Sequence, residues 1–359
     1  MAELTKDFEL NQKLLATLLG EGRNYDLVSR SLRLGGRKAR LWVIDGYGQA
    51  DIIERMTAFW LSLSPEQVAQ ATDAQQFSEL CLSCAESMPE QEIDTVVTAV
   101  LLGKLALLVE GYDCCFLMDA KRYPGRSIQE PSDGRVLRGA HDGFVETLVQ
   151  NTALLRRRIR DPRLTLENHK IGEKSRTDVV IAYMEGLADE TLLTRLRTKL
   201  AELPMGSYAL GQESVAESMM EGQWYNPFPR VRYTERPDKA TACLMEGDIV
   251  MFVDNSPAAM ILPTSFFDFV QETNDYYFPP LSSTYVRFIR NFVSILTVFL
   301  TPTMLLFLNH PDRLPGWLEF INTKSEYLIP FYMQFLLLEL LIDGLRLASK
   351  WGIKLAAGA

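Results

Sequence analysis

RLWVIDGYGQADIIERM, residues 40–56, decides the fold because it returns as DVVIAYMEGLADETLLTRL, residues 178–196. Each stretch is an apolar run, an acidic residue followed by Gly, and then apolar residues at helical spacing. Setting Asp45-Gly46 over Glu185-Gly186 lays Asp51-Ile52-Ile53 over Thr191-Leu192-Leu193. The pattern reads as strand, tight turn, helix.

A second pair follows in the same order. LLGKLALLVEGYDCCFLMD (101–119) matches LMEGDIVMFVDNSPAAMILP (244–263) when Gly103 is set on Gly247. Val109 then meets Val253, and Glu110 meets Asp254. Each reads as a hairpin turning at EGYD or DNSP. The two offsets are 140 and 144 residues. One match between short apolar strands would be chance; two in order predict an α/β fold of two tandem related subdomains in the cytosol. The predicted division is 1–122 for the first subdomain, 123–163 for a linker loop and helix, 164–280 for the second subdomain, and 281–359 for a membrane region.

The linker opens with Pro, Gly and charge, which predicts a loop. From about Asp142, Phe144, Leu148, Leu155 and Ile159 recur at helical spacing, and Asp161-Pro162 stops the helix. Its end carries Arg156, Arg157, Arg158 and Arg160. Two readings fit these arginines: a solvated face with salt bridges to a neighbouring subdomain, or contact with anionic lipid headgroups or a partner subunit.

A formal charge of −9 excludes nucleic acid as a partner of the whole chain. Cys81 and Cys84 form one C-x-x-C inside the helical pattern FSELCLSCAESM, with no second pair and no nearby His. They read as ordinary helical cysteines, and no metal or other cofactor is predicted. Cys114, Cys115 and Cys243 read as core. There is no G-x-S-x-G, P-loop or G-x-G-x-x-G, and His141, His169 and His310 lie far apart in the sequence. No catalytic residue and no enzyme activity are predicted. The opening MAELTKDFELNQ has no basic segment followed by an apolar one, so the first part of the chain is expected to stay in the cytoplasm.

Two membrane helices are predicted, at about 287–309 and 328–348. NFVSILTVFLTPTMLLFLN (291–309) holds no charge, close to the length that crosses the hydrocarbon core. Arg287 and Arg290 precede it, Arg346, Lys350 and Lys354 follow the second helix, and only Arg313 and Lys324 lie between. The positive-inside rule then puts the N-terminal region and the C-terminus in the cytoplasm. The loop between, with Trp317, is expected outside. Pro302 is expected to kink the first helix.

The second helix holds LLLELLIDGLR, residues 336–346. Roughly twelve large apolar residues favour insertion by about 4–7 kcal/mol, and one acid at mid-helix costs about 2.5–3.5 kcal/mol. Glu339, Asp343 and Arg346 therefore cancel much of the gain. They are spaced i, i+4, i+7, on one face. Two readings fit: a polar stripe lining an ion pathway, or an Asp343–Arg346 structural pair with Glu339 satisfied by a neighbour. In the first helix Asn291, Ser294, Thr297 and Thr301 share a face, which fits close helix packing or pore lining.

Three stretches resemble the GerA family of spore germination proteins. They are residues 123–164 (YPGRSIQEPSDGRVLRGAHDGFVETLVQNTALLRRRIRDPRL), residues 224–269 with NPFPRVRYTERP, and the helix around PFYMQFLLLELLIDGLR. Within the family, NPFPRVRYTERP and RRRIRD are most similar to the stage V sporulation protein AF branch. His141 departs from that pattern, where a basic Arg or a Pro is expected. The resemblance implies a multi-pass protein of the spore inner membrane, forming a homo-oligomer around a pore for monovalent cations, with other spore membrane germination proteins as partners. It implies for this branch an amplifying role beside a small membrane partner. It further implies that family members continue through more membrane helices after WGIKLAAGA. The expected function is a subunit of a cation-conducting complex, or alternatively a membrane-anchored scaffold without its own pore.

Overall fold

The computed structural model describes residues 3–47, 50–82, 84, 86–120, 142–172, 176–202, 211–219, 231–265, 268, 279–310, 315–316 and 329–356. The chain divides into two units, Met1–Phe278 and Pro279–Ala359.

The first unit holds two five-stranded sheets. One contains β1 (Leu27–Leu34), β2 (Arg37–Ile44), β3 (Ser87–Glu90), β4 (Leu105–Val109) and β5 (Cys115–Met118), in the order β1-β2-β4-β5-β3. The other contains β6 (Leu164–Ile171), β7 (Thr177–Met184), β8 (Arg232–Thr234), β9 (Ile249–Val253) and β10 (Ala259–Leu262), in the order β6-β7-β9-β10-β8. The two orders are the same. Every pairing is antiparallel, so the α/β expectation is corrected to antiparallel sheets with helices. The quoted motifs form as read. β2 turns at Asp45–Tyr47 into α2 (Ala50–Ser62), and β7 turns at Glu185–Leu187 into α7 (Glu190–Glu202). β4 with β5, and β9 with β10, are the two hairpins.

Both faces of each sheet are covered, which is why the central strands read as unbroken apolar runs. In the first sheet Leu41, Val43, Leu105 and Leu107 pack with Trp60 of α2 and Phe77 of α4 (Ala74–Cys81). Trp42, Ile44, Ala106 and Leu108 point the other way, onto Leu15 of α1 (Phe8–Leu19) and Val96 of α5 (Ile93–Leu101). The second sheet repeats this, with α6 (Leu148–Arg158) and α9 (Pro237–Glu246) on one face and α7 and α8 (Gln212–Met219) on the other.

The repeat runs deeper than the strands. Asn11 in α1 donates to Thr5 O at 2.5 Å and accepts from Thr5 N at 3.1 Å. Asn151 in α6 donates to Val145 O at 2.6 Å and accepts from Val145 N at 2.8 Å. Leu4 N bonds Gln91 O at 2.9 Å, and Phe144 N bonds Glu235 O at 2.7 Å. Leu15 and Leu155 are both fully buried. The helix expected as a linker is therefore the first helix of the second repeat, equivalent to α1.

The repeats meet along α6. Arg156 is completely buried; its Nε and Nη2 bond the Asp26 carboxylate at 3.0 and 3.1 Å, and its Nη1 bonds Leu164 O at 2.9 Å. Asn24 Oδ1 accepts from Leu166 N at 3.0 Å, and Tyr25 N donates to Leu166 O at 3.1 Å, so the turn before β1 covers part of the edge of β6. Tyr47 OH bonds Ala153 O at 3.1 Å. Gly46 has φ +81°, and a Cβ there would stand 2.9 Å from Val149 Cγ1 and 3.2 Å from Ala153 Cβ. Only Gly fits both the turn and the helix against it.

The second unit contains α10 (Pro280–Asn309), of 30 residues, and α11 (Phe331–Ala356), of 26 residues. Both predicted membrane segments are helical. Among the described residues only one stretch, Leu281–Phe307 of α10, is long and apolar enough to cross a membrane by length and composition. One candidate span is therefore found among the described residues where two were expected. Glu339, Asp343 and Arg346 break the apolar run of α11.

Removing the Arg156 guanidinium leaves Asp26 buried and unpaired. Arg156→Ala is expected to cost about 3–5 kcal/mol, read as a drop in the denaturation midpoint of the first unit. Asn11→Ala and Asn151→Ala are each expected to cost about 1–3 kcal/mol. A large difference between the two Asn variants would argue against their equivalence.

Candidate functional site

The polar residues of α11 lie on an uncovered helix. Leu336, Leu338, Leu340 and Leu345 are between 57% and 69% exposed, and Glu339, Asp343 and Arg346 are exposed among them. Asp343 Oδ1 and Arg346 Nη1 stand 3.7 Å apart, with side chains 66% and 78% exposed. A pair that open to solvent contributes little, and its value rises only where lipid or protein excludes water. Glu339 has no hydrogen bond or ion pair to any described residue of the chain.

The hydroxyls of α10 are already bonded. Ser294 Oγ donates to Arg290 O at 2.9 Å, and Thr297 Oγ1 donates to Val293 O at 2.8 Å. Such bonds to the preceding turn leave no donor to satisfy in a bilayer. Thr301 is half-buried, and Pro302 lies inside the helix. None of the most apolar stretch of α10 is buried against the chain.

The four arginines of α6 and the turn after it divide. Arg156 is inside the seam, which removes it from any headgroup or partner surface. Arg158 grips Asp142, with Nη2 at 2.6 Å from both carboxylate oxygens. Arg157 and Arg160 are exposed. Of the cysteines, Cys81, Cys114, Cys115 and Cys243 are buried, and burial pushes the Cys114 thiol up to about 12. His141, the NPFP run at 226–229 and Trp317 lie outside the described residues.

The seam also forms a groove of about 630 Å³, with Glu21, Arg23, Tyr25 and Ser29 on one side and Glu167 and His169 on the other. Each side holds a clamped carboxylate. Burial pushes Glu21 up, but hydrogen bonds from Ser29 Oγ at 2.6 Å, Trp42 Nε1 at 2.8 Å and the Arg40 guanidinium outweigh it and hold the group below the usual carboxylate range. His169, with Nε2 at 3.6 Å, holds Glu167 far below that range against the opposing effect of burial. Arg197 Nε at 2.9 Å and Tyr183 OH at 2.6 Å add to this. Burial, and then Glu167 itself, push Tyr183 up to about 12. The sequence reading missed this cluster. The only signal was alternation: Glu167 and His169 are two apart on a strand, and so are Arg40 and Trp42.

A depressed carboxylate stabilises the fold above its unfolded pKa of about 4.3. That contribution fades as pH falls from there towards the lowered folded value. Glu167→Gln is therefore expected to lower stability at pH 7 and to flatten the loss of stability on acidification below about pH 4.3, measured by denaturation across pH.

The pattern of the Bacillus/Clostridium GerA spore germination protein family matches residues 13–351. Stage V sporulation protein AF of Bacillus subtilis (strain 168) is 36% identical over 345 residues, covering 94% of this chain and 68% of that protein. The uncharacterized membrane protein YfkQ of the same organism is 30% identical, over 93% of this chain and 65% of that protein. Spore germination protein KA, also of Bacillus subtilis (strain 168), is 28% identical over 86% of this chain and 57% of its own length. The chain thus spans between about half and two thirds of these relatives. In fold it is similar to the N-terminal domain of the A subunit of the Bacillus megaterium spore germinant receptor GerK3. The TM-score is 0.56 at 23% identity, over 74% of this chain and 98% of that one. With a family pattern spanning nearly its whole length, the chain belongs to the GerA family of spore germination proteins.

Proposed function

We propose that the chain is a subunit of an oligomeric, cation-conducting complex of the spore inner membrane that promotes or amplifies ion release during germination. The observation that carries this reading is Glu339: a carboxylate with no partner among the described residues, exposed among leucines on α11. Facing acyl chains, it would cost about 2.5–3.5 kcal/mol at the helix centre. Facing other subunits or a water-filled path, it costs less and attracts cations. Asp343 and Arg346 sit along the same face and make the mouth of that path or a subunit contact. Ser294, Thr297 and Thr301 line the neighbouring surface. The arrangement of Lys and Arg around the helices favours a cytoplasmic N-terminal region. Arg157, Arg158 and Arg160 remain the basic group for headgroups or a partner. Relatives named as germination proteins make other spore membrane germination proteins the natural partners.

One observation favours a second reading, a membrane-anchored scaffold. The hydroxyls of Ser294 and Thr297 are turned onto their own backbone and offer no lining to an ion.

Cation efflux from liposomes carrying the protein with its membrane partners separates the two. Glu339→Gln is expected to lower efflux by about tenfold, the equivalent of about 1.4 kcal/mol, with assembly intact. Unchanged efflux from an assembled Glu339→Gln protein would favour the scaffold, as would recovery of all partners by residues 1–278 alone.

A further inference from the structure

The two repeats share a fold but not a fate at one surface. In the first repeat the turn Asp45-Gly46-Tyr47 and the end of α5 are covered by α6. Tyr47 is 0% exposed and Leu101 2%, and both lie in one buried cluster with Ala153. In the second repeat the same positions are Gly186, Leu187 and Met245, at the offsets of 140 and 144 residues already found. There Leu187 is 50% exposed and Met245 is 54% exposed. Gly186 keeps the same positive φ, +80°, yet a Cβ built on it meets nothing within 4 Å. The two apolar residues adjoin: a Cβ on Gly247, two residues beyond Met245, would stand 3.0 Å from Leu187 O.

The chain itself shows what covers such a patch, which is the first helix of the repeat that follows. After the second repeat, the next first helix available is α1 of another copy. We infer that the Gly186–Leu187–Met245 patch docks α1 of a second copy of this chain, as the Gly46–Tyr47–Leu101 patch docks α6. Val149 and Ala153, which meet Gly46, correspond to Glu9 and Lys13 on α1. Lys13 is exposed, and the exposed acid Glu246 follows Met245, so this pair is complementary; Glu9 and Glu185 are already paired within the chain, with Lys38 Nζ at 2.8 Å and Arg23 Nη1 at 2.9 Å. Leu10, 53% exposed on α1 beside Glu9, adds apolar surface to the docking helix. The contact is head-to-tail, so successive copies close into a ring when the rotation permits. This inference rests on the oligomeric reading and supplies its cytosolic interface.

The test uses two differently tagged copies of the full chain, co-expressed in membranes, one carrying Leu187→Cys and the other Lys13→Cys. Mild oxidation is expected to give a reductant-sensitive dimer of the two tags, at least about tenfold above that from Leu187→Cys with Met88→Cys. Met88 is 66% exposed on the edge strand β3 and lies outside the patch. Leu187→Glu with Met245→Glu is expected to shift the native mass towards the monomer without moving the melting temperature, since both side chains are exposed in the single chain. A protein that keeps its native oligomeric mass but forms no Leu187–Lys13 cross-link overturns this interface and leaves the oligomeric reading standing. An unmodified chain that is monomeric in membranes overturns both. Leu187→Cys shielded from maleimide yet unlinked to α1 assigns the patch to another occupant and also overturns the inference.

Discussion

The buried contact of Arg156 with Asp26 and Leu164 O holds the two repeats of the first unit together. An unpaired guanidinium or carboxylate in that position would cost several kcal/mol. Here the two charges neutralise one another in bidentate geometry, and the remaining donor finds a carbonyl. Asp26 precedes β1, Arg156 lies in the last turn of α6, and Leu164 opens β6. One side chain thus fixes the start of the second sheet against the start of the first. The hydrogen bonds of Asn24, Tyr25 and Tyr47 follow from that placement, because each needs the edge of β6 or the side of α6 within reach. The seam groove follows as well, since its two sides are the starts of those same strands and the turn that leads into β1.

Much of this was legible in the sequence. Strand, Gly turn and helix are set by local chemistry, and a duplicated segment keeps that chemistry even where side chains change. Asp45-Gly46 and Glu185-Gly186 are such a case, with φ of 81° and 80°. What was not legible is where equivalence survives only in hydrogen bonds. Asn11 with Thr5 and Asn151 with Val145 form the same ring through backbone atoms, so the partner's side chain leaves no trace. The α1–α6 match was hidden for that reason, and α6 read as a linker. The burial of Arg156 was in principle readable. It stands one turn after Thr152 and two turns after Leu148, on the buried face, whereas Arg157 stands a step outside it. A run of basic residues drew attention to charge when periodicity carried the information.

The antiparallel pairing has the same character. A strand–turn–helix unit is common to parallel and antiparallel sheets, and which one forms depends on where the chain returns. β2 leads through α2, α3 (Pro65–Ala69), α4, β3 and α5 before β4 comes back beside it. The intervening helices cover both faces of the sheet. The central strands are therefore buried as fully as those of a parallel sheet, and apolar content alone does not distinguish the two.

The two units of the chain answer one constraint differently. Among the described residues of the first unit a charge is buried where the chain supplies its complement, as Asp26 does for Arg156. On α11 the described residues supply Arg346 for Asp343 at 3.7 Å and nothing for Glu339. Leucine at every flanking position makes that helix too apolar for water, and the carboxylate makes it too polar for lipid on all sides. Neither solvent suits the whole helix, and the proposed setting is one face in lipid and the other against protein or enclosed water. Burying a charge without its partner is costly within a single chain, and in the proposed complex that charge marks the face another subunit covers. The incomplete patch of the second repeat follows the same logic with apolar groups in place of ions. A surface that the chain covers in one repeat it leaves exposed in the next, and the inferred second copy supplies the cover.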